Sequence, residues 1–197
     1  MAETKNETWR LFCAIELPTL VLEKISQHIT CLQAAAPDSP ASWSRSENVH
    51  LTLKFVGEVP SSRVEELTQA AANAVAGFSP FEIVVESTGS FPKHGTPRVL
   101  WIGVNDYSGK LAQLQAKLDE ECLRLGFAKE ARAFNPHLTI ARARKPQGAR
   151  ALAQAHKEMG FASTEIRVLE LTVIRSELSS KGSNYTAISG HLLSDKH

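Results

Sequence analysis

Polar and apolar residues alternate in two short stretches of this chain, NVHLTLKFVGEV around His50 and NPHLTIARAR around His137. Alternation at a period of two predicts β-strands. His50 and Thr52 then share one face while Leu51 and Leu53 share the other, and His137 and Thr139 stand likewise opposite Leu138 and Ile140. Each strand presents an imidazole and a hydroxyl side by side.

The rest of the pattern predicts strands and helices in turn. Residues 10–17 (RLFCAIEL) form a buried strand stopped by Pro18. Thr19 then caps a helix over about 20–33, with Leu22, Ile25, Ile29 and Leu32 at helical spacing. Residues 34–42 (AAAPDSPAS) read as loop, and the first motif strand covers about 49–56, ending at Gly57 and Pro60. Ser62 with Glu65 three residues on is a capping box for a helix through Val64, Leu67, Ala71 and Val75. Residues 81–86 and 99–104 are strands on either side of the loop GSFPKHGTP, and Leu111, Leu114, Leu118, Cys122 and Leu125 define an amphipathic helix. The second motif strand covers about 137–143, followed by a helix carrying Leu152 and Met159. Residues 165–175 (EIRVLELTVIR) alternate as one long strand, and 183–189 form the last, after a turn at 180–183. Three helices end in Gly-Phe, at Gly77, Gly126 and Gly160, where glycine accepts the left-handed C′ conformation and the aromatic packs back on the last turn.

The two motif histidines are 87 positions apart (137 − 50), and the first strands of the two halves, starting near Arg10 and Arg98, are 88 apart (98 − 10). The agreement suggests a duplication, with repeats at about 9–90 and 97–190, forming two lobes related by a pseudo-two-fold axis across a groove. Strand-helix alternation alone suggests βαβ units and leaves strand direction open.

With 197 residues and 43% hydrophobic content, the chain has enough apolar surface for one sizeable core. A formal charge of +1 argues against coating long nucleic acid and leaves room for a small or terminal nucleic-acid ligand. The odd trio Cys13, Cys31 and Cys122 forms no CxxC pair and reads as free core thiols in a reducing compartment. The polar start MAETKNET has no apolar run behind it, and no stretch is long enough to cross a bilayer, so the expectation is a cytoplasmic protein with no membrane partner.

His-x-Thr occurs four times. His28 and Thr30 fall in a helix, where residues two apart diverge, so His28 reads as a helix-edge residue. His94 and Thr96 fall in a Gly/Pro loop. Only His50 and His137 have strand patterning and matching places in the repeat. A metal site is the rival reading, but neither motif has Asp, Glu or Cys in reach of its histidine, and two imidazoles are too few for zinc. The chain has no GxSxG elbow, GxGxxG or Walker loop. Metal-free acid-base chemistry by two histidines remains.

These segments, with RLFCAIELP, GSFP, PRVLWIGV and the closing LTVIRSELSSKGSNYTAI, resemble the 2H phosphoesterase superfamily and, within it, the RNA 2′,3′-cyclic phosphodiesterases, also called 2′-5′ RNA ligases. The resemblance covers almost the whole chain as a single domain of two lobes. It implies an α+β fold with two antiparallel-rich sheets flanking a central groove, helices outside, in place of parallel βαβ units. It further implies a hydrolase that opens an RNA 2′,3′-cyclic phosphate to a 2′-phosphomonoester without cofactor or metal. His50 would be the proton donor and His137 the proton acceptor, with Thr52, Thr139 and Arg142 binding the phosphate. Arg142 has the wrong parity to share the His137 face of a regular strand, so it requires a bulge or a strand end. The expected partners are RNA ends or oligonucleotides bearing the cyclic phosphate, and the expected state is a monomer. The alternatives are reversible 2′-5′ ligation, a small cyclic nucleotide as substrate, or, from another class, a non-catalytic module binding nucleotides or RNA ends. Around the second motif, Lys129, Arg132, Arg142, Arg144, Lys145 and Arg150 face only Glu130, a local basic run able to guide an RNA end. Phe12, Trp43, Phe91 and Tyr185 are candidates for stacking on a terminal base.

Overall fold

The computed structural model describes residues 7–179 and 182–194. It has nine strands, β1 (Thr8–Glu16), β2 (Ala41–Trp43), β3 (His50–Pro60), β4 (Phe81–Phe91), β5 (Val99–Asn105), β6 (His137–Ala143), β7 (Thr164–Val168), β8 (Glu170–Ser179) and β9 (Gly182–Leu192), and four helices, α1 (Thr19–Ala35), α2 (Val64–Val75), α3 (Lys110–Arg124) and α4 (Ala149–Met159). The strands form two sheets, β3-β1-β8-β9 and β2-β6-β5-β4-β7, and every pairing is antiparallel. The fold is thus α+β with two antiparallel sheets. Each sheet draws strands from both halves of the sequence. Helices α2 and α3 pack together against the first sheet, while α1 and α4 pack together beside the second.

The apolar periodicity explains these choices. Leu111, Leu114, Leu118 and Cys122 on α3 are all fully buried, one stripe of a helix turned to the core. Leu51, Leu53, Leu138 and Ile140, on the faces of β3 and β6 away from the histidines, are buried in the same core. Each contributes about 1.5–3 kcal/mol relative to exposure. At Gly126, with φ +80°, the α3 terminus closes as a Schellman motif. The Gly126 N–H donates to Leu123 O and the Phe127 N–H to Cys122 O, both at 2.9 Å, and Phe127 is buried on the last turn.

Several expectations are corrected. The run 165–175 is two strands, because the chain leaves the second sheet after β7 and enters the first at β8. The break is at Leu169, which is half exposed. The apolar phase slips by one position there, from Ile166 and Val168 in β7 to Leu171 and Val173 in β8, and that slip is the mark the change of sheet leaves in the sequence. The short strand β2 lies within the stretch read as loop, and β4 continues to Phe91 past Ser87, whose φ of 63° marks an irregularity. Neither predicted N-cap forms. Thr19 is inside α1 behind Pro18, and a 3₁₀ turn over Ser61–Arg63 carries the chain into α2 without a side-chain cap bond. Cys31 is exposed rather than in the core, whereas Cys13 and Cys122 are buried, which holds the Cys13 thiol far above its usual range and pushes the Cys122 thiol up to about 11. The turn expected at 180–183 lies partly outside the described residues. Among the described residues no helix is long and apolar enough to cross a membrane.

Candidate active site

The two motif strands share one burial sequence over their first five residues, half-buried and buried positions alternating until two buried residues stand in succession. That doubling is a β-bulge in each strand. In β6, Trp101 pairs with Thr139 and Leu100 with Ala141, leaving Ile140 as the extra residue. In β3, Ala14 pairs with Thr52 and Cys13 with Lys54, leaving Leu53 extra, and a second irregularity follows at Val56. The bulge resets the parity of the strand. His137, Thr139 and Arg142 therefore face the same side as Val99, Trp101 and Gly103, and the guanidinium reaches the groove by the first of the two routes the sequence left open. The corresponding face of β3 carries His50, Thr52 and Phe55.

Thr52, Phe55, His137, Thr139 and Arg142 line one cavity of about 510 Å³, together with Phe91, Phe134 and Glu130. His50 opens onto a neighbouring cavity of about 310 Å³, two residues along the same face of β3 from Thr52. Strands β3 and β6 are in contact, and residues 44–49 carry the chain from β2, paired with β6, into β3. The Ser44 hydroxyl donates to Thr139 O (2.9 Å) and its N–H to Ile140 O (2.9 Å). The Asn48 side-chain amide donates to Ser183 O (2.9 Å). The structure thus brings four of the five predicted residues around one cavity and sets the fifth beside it.

Both imidazoles are held alike. His50 Nδ1 lies 2.8 Å from Asn48 O, and His137 Nδ1 lies 2.7 Å from Asn135 O. A carbonyl oxygen only accepts, so each Nδ1 carries the proton and each Nε2 is the nitrogen left for chemistry. Among the described residues no carboxylate bonds either ring; the carbonyl two residues upstream does so in both motifs. The rings are further fixed by aromatics. Phe12 stacks on His50 at 4.6 Å and Tyr185 meets it edge-on at 5.2 Å, while Phe91 meets His137 edge-on at 5.0 Å. Burial among these groups pushes the His50 imidazole below its ordinary value, partly opposed by the bond to Asn48. The Thr52 and Thr139 hydroxyls bond to no other described protein group, and neither is a buried orphan, so both remain available to a ligand.

Other candidates resolve differently. Phe12 is buried and supports His50, so no base can stack on it. Trp43 lies in β2, opposite Ala141. His94 sits in an exposed loop. His28 is no helix-edge residue. It is buried, its Nε2 2.9 Å from Nδ1 of the buried His156, whose Nε2 in turn lies 2.9 Å from Trp101 O. Within the basic run, Arg132 is bound by two nitrogens to the carboxylate of Glu130. Alternation and motif spacing did not pick out Phe55 or the two orienting carbonyls. The signals were present, since Phe55 and Arg142 both stand five residues after their histidines and Asn stands two before each.

A family model described as the 2′-5′ RNA ligase superfamily matches residues 21–179. An RNA 2′,3′-cyclic phosphodiesterase of Methanothermobacter thermautotrophicus is 33% identical over 178 residues, 90% of this chain and 95% of that protein. A protein of the same name from Archaeoglobus fulgidus is 32% identical over 89% of this chain and 96% of its own length. Among solved structures, E. coli LigT complexed with 3′-AMP superposes with a TM-score of 0.77 at 26% identity, covering 96% of this chain and all of that one. With paired His-x-Thr strands and relatives of this kind along nearly its full length, the chain belongs to the 2′-5′ RNA ligase superfamily and is a 2H phosphoesterase enzyme.

Proposed function

We propose that the protein hydrolyses 2′,3′-cyclic phosphodiester ends of RNA to 2′-phosphomonoesters, using its two motif histidines as acid and base. The observation that carries the reading is the matched pair of imidazoles, each locked through Nδ1 and each beside a hydroxyl with no protein partner among the described residues. Hydrolysis of a cyclic phosphodiester requires a proton taken from water, a proton given to the departing oxygen, and donors for the charge on the non-bridging oxygens.

With the phosphate between the motifs, Thr52 and Thr139 donate to its non-bridging oxygens and Arg142 supplies the positive charge. His137 Nε2 takes a proton from the water as the water oxygen bonds to phosphorus. The bond from phosphorus to the 3′ oxygen breaks, and His50 Nε2–H protonates that oxygen. A 2′-phosphate and a free 3′-hydroxyl result, and the two histidines have exchanged protonation states. The scheme draws only on these side chains and water. Phe55, 43% exposed on the groove face with the Arg10 guanidinium 4.9 Å from its ring centre, offers an aromatic surface to the terminal base.

The test is incubation with an oligonucleotide ending in a 2′,3′-cyclic phosphate, with and without EDTA. The expected product is the 2′-phosphate isomer at an unchanged rate under chelation. A 3′-phosphate product would contradict the assignment of the leaving oxygen. Joined 2′-5′ strands as the main product would favour ligation, and binding without turnover would make the chain a binding module.

A further inference from the structure

We infer that the RNA strand leading to the cyclic end lies along a basic track on the second sheet's side of the groove, formed by Lys93, Arg98, Arg144, Lys145, Arg150 and Lys157. The inference rests on the function proposed above and concerns a part of the surface that the chemistry does not use.

Two cavities make the track. One, about 460 Å³, is lined by Thr88, Gly89, Ser90, Trp101 and the cations Lys93, Arg150 and Lys157. The other, about 340 Å³, is lined by Thr96, Pro97 and the cations Arg98, Arg144 and Lys145. Pro97 lines both, so they meet across the β4–β5 loop, and neither is lined by an acidic side chain. The cavity at His50, by contrast, is lined by Glu16 and Glu47 and by no Lys or Arg.

The six charges are uncommitted. Several arginines elsewhere are neutralised locally, Arg63 by Glu66, Arg124 by Glu120 and Glu121, Arg132 by Glu130, and Arg175 by Glu7 and Glu177. None of the six has a carboxylate within 4 Å among the described residues; Arg144 makes one side-chain bond, to the Ser42 hydroxyl at 2.7 Å. In a chain whose formal charge is +1, this concentration of cations leaves the remainder net negative and gives the groove a polarity that orients an anionic strand.

The larger cavity also has the other chemistry of a single-strand site. Strand β7 pairs only with Phe81–Val85, so the far half of β4 leaves its outer edge open beside α4, where Thr88 and Ser90 lie. The Trp101 indole crosses Gly89 so closely that any side chain there would collide with it, which brings an aromatic surface to the cavity. Cations, hydroxyls and an aromatic surface are the combination that holds single strands without reading sequence. The track adjoins the reacting groups, since Phe91 touches His137 at 5.0 Å and Trp101 at 5.3 Å between ring centres.

The test compares a nucleoside 2′,3′-cyclic phosphate with an oligonucleotide of about ten nucleotides carrying the same end, using wild type, K93Q/R150Q/K157Q and R98Q/R144Q/K145Q. The mononucleotide should be hydrolysed equally by all three. For the oligonucleotide, KM should rise roughly tenfold or more in each variant at low salt, and the slope of log affinity against log salt should flatten by about 0.7 for each phosphate no longer neutralised. Unchanged oligonucleotide kinetics in both variants, or an equal loss on both substrates, would overturn the track. If wild type hydrolyses neither substrate, the proposed function fails separately. Anisotropy with a labelled oligonucleotide then decides the track, weaker binding by the variants supporting it and equal binding refuting it.

Discussion

The burial of His50 makes a specific claim about pH. As general acid, His50 must carry a proton in the free enzyme, yet packing between Phe12 and Tyr185 holds its imidazole below the ordinary 6.5. The falling limb of kcat/KM, which reports the free enzyme, should therefore lie on the acid side of neutrality. By pH 7.5 under about one tenth of the free enzyme is competent, and the rate loses about tenfold per further pH unit. Bound phosphate changes this. An anion beside the imidazole favours its charged form, by up to ~4 kcal/mol for unit charges about 4 Å apart at an effective dielectric near 20 and by less in an open groove. The falling limb of kcat should thus sit above that of kcat/KM. Initial rates on a nucleoside 2′,3′-cyclic phosphate, followed by chromatography from pH 5 to 9, measure both. Replacing His50 by Gln keeps a polar group near Nε2 but cannot transfer a proton, and should cost about 10²–10⁴ in rate, roughly 3–5 kcal/mol of barrier, while abolishing the falling limb. If H50Q instead keeps the falling limb and loses the rising one, the two histidines have been given each other's roles.

Three further outcomes follow from particular contacts. Removing the Arg142 guanidinium (R142A) takes one charge from the phosphate, and kcat/KM should drop roughly 10- to 100-fold, matching a charged hydrogen bond of about 1.5–3 kcal/mol; an unchanged value places Arg142 outside the phosphate site. Lys54, nearly inaccessible, is paired with Asp119 and donates to Ala128 O at 2.8 Å, while Asp119 also accepts the Glu130 N–H. K54M strands a buried carboxylate and should lose about 3–5 kcal/mol in urea unfolding, whereas K54M/D119L should recover most of it, because apolar replacement of both partners removes the desolvation cost; a double variant no better than the single would refute this account. His28 is pushed down to about 4 by burial and by His156. The unfolded chain then binds more protons between about 6.5 and 4, so stability should fall as pH drops through that window, and Tm in H28Q should respond less steeply there.

The parts of this molecule that could be read from the sequence are those that depend on local periodicity. The faces of the two motif strands and the stripe of α3 follow from spacing alone, because each element buries one side whichever neighbour covers it, whereas on α4 Leu152 is buried and Met159 is exposed. Strand partners do not follow from spacing. Residues 165–175 are apolar-rich on both sides of a one-position slip at Leu169 and so read as one strand across a change of sheet, and β2 is too short to have a period. The helix starts failed for another reason: Thr19 and Ser62 have the right chemistry for caps, but Pro18 and the 3₁₀ turn at 61–63 set the backbone before either side chain can cap it. At the site, the parity problem of Arg142 was visible as a contradiction, and a contradiction of that kind is informative. A charged residue expected in the groove on the wrong alternation implies an extra residue between it and Thr139, and Ile140 is that residue. The same inference applied to β3 points to Phe55 by its equal spacing from His50, with Leu53 as the extra residue. Paired strands with one bulge at the same place thus offer a guanidinium on one side and an aromatic ring on the other. This asymmetry gives a nearly symmetric pair of histidines two distinguishable sides, and a substrate with a phosphate at one end and a base at the other has one orientation that suits both.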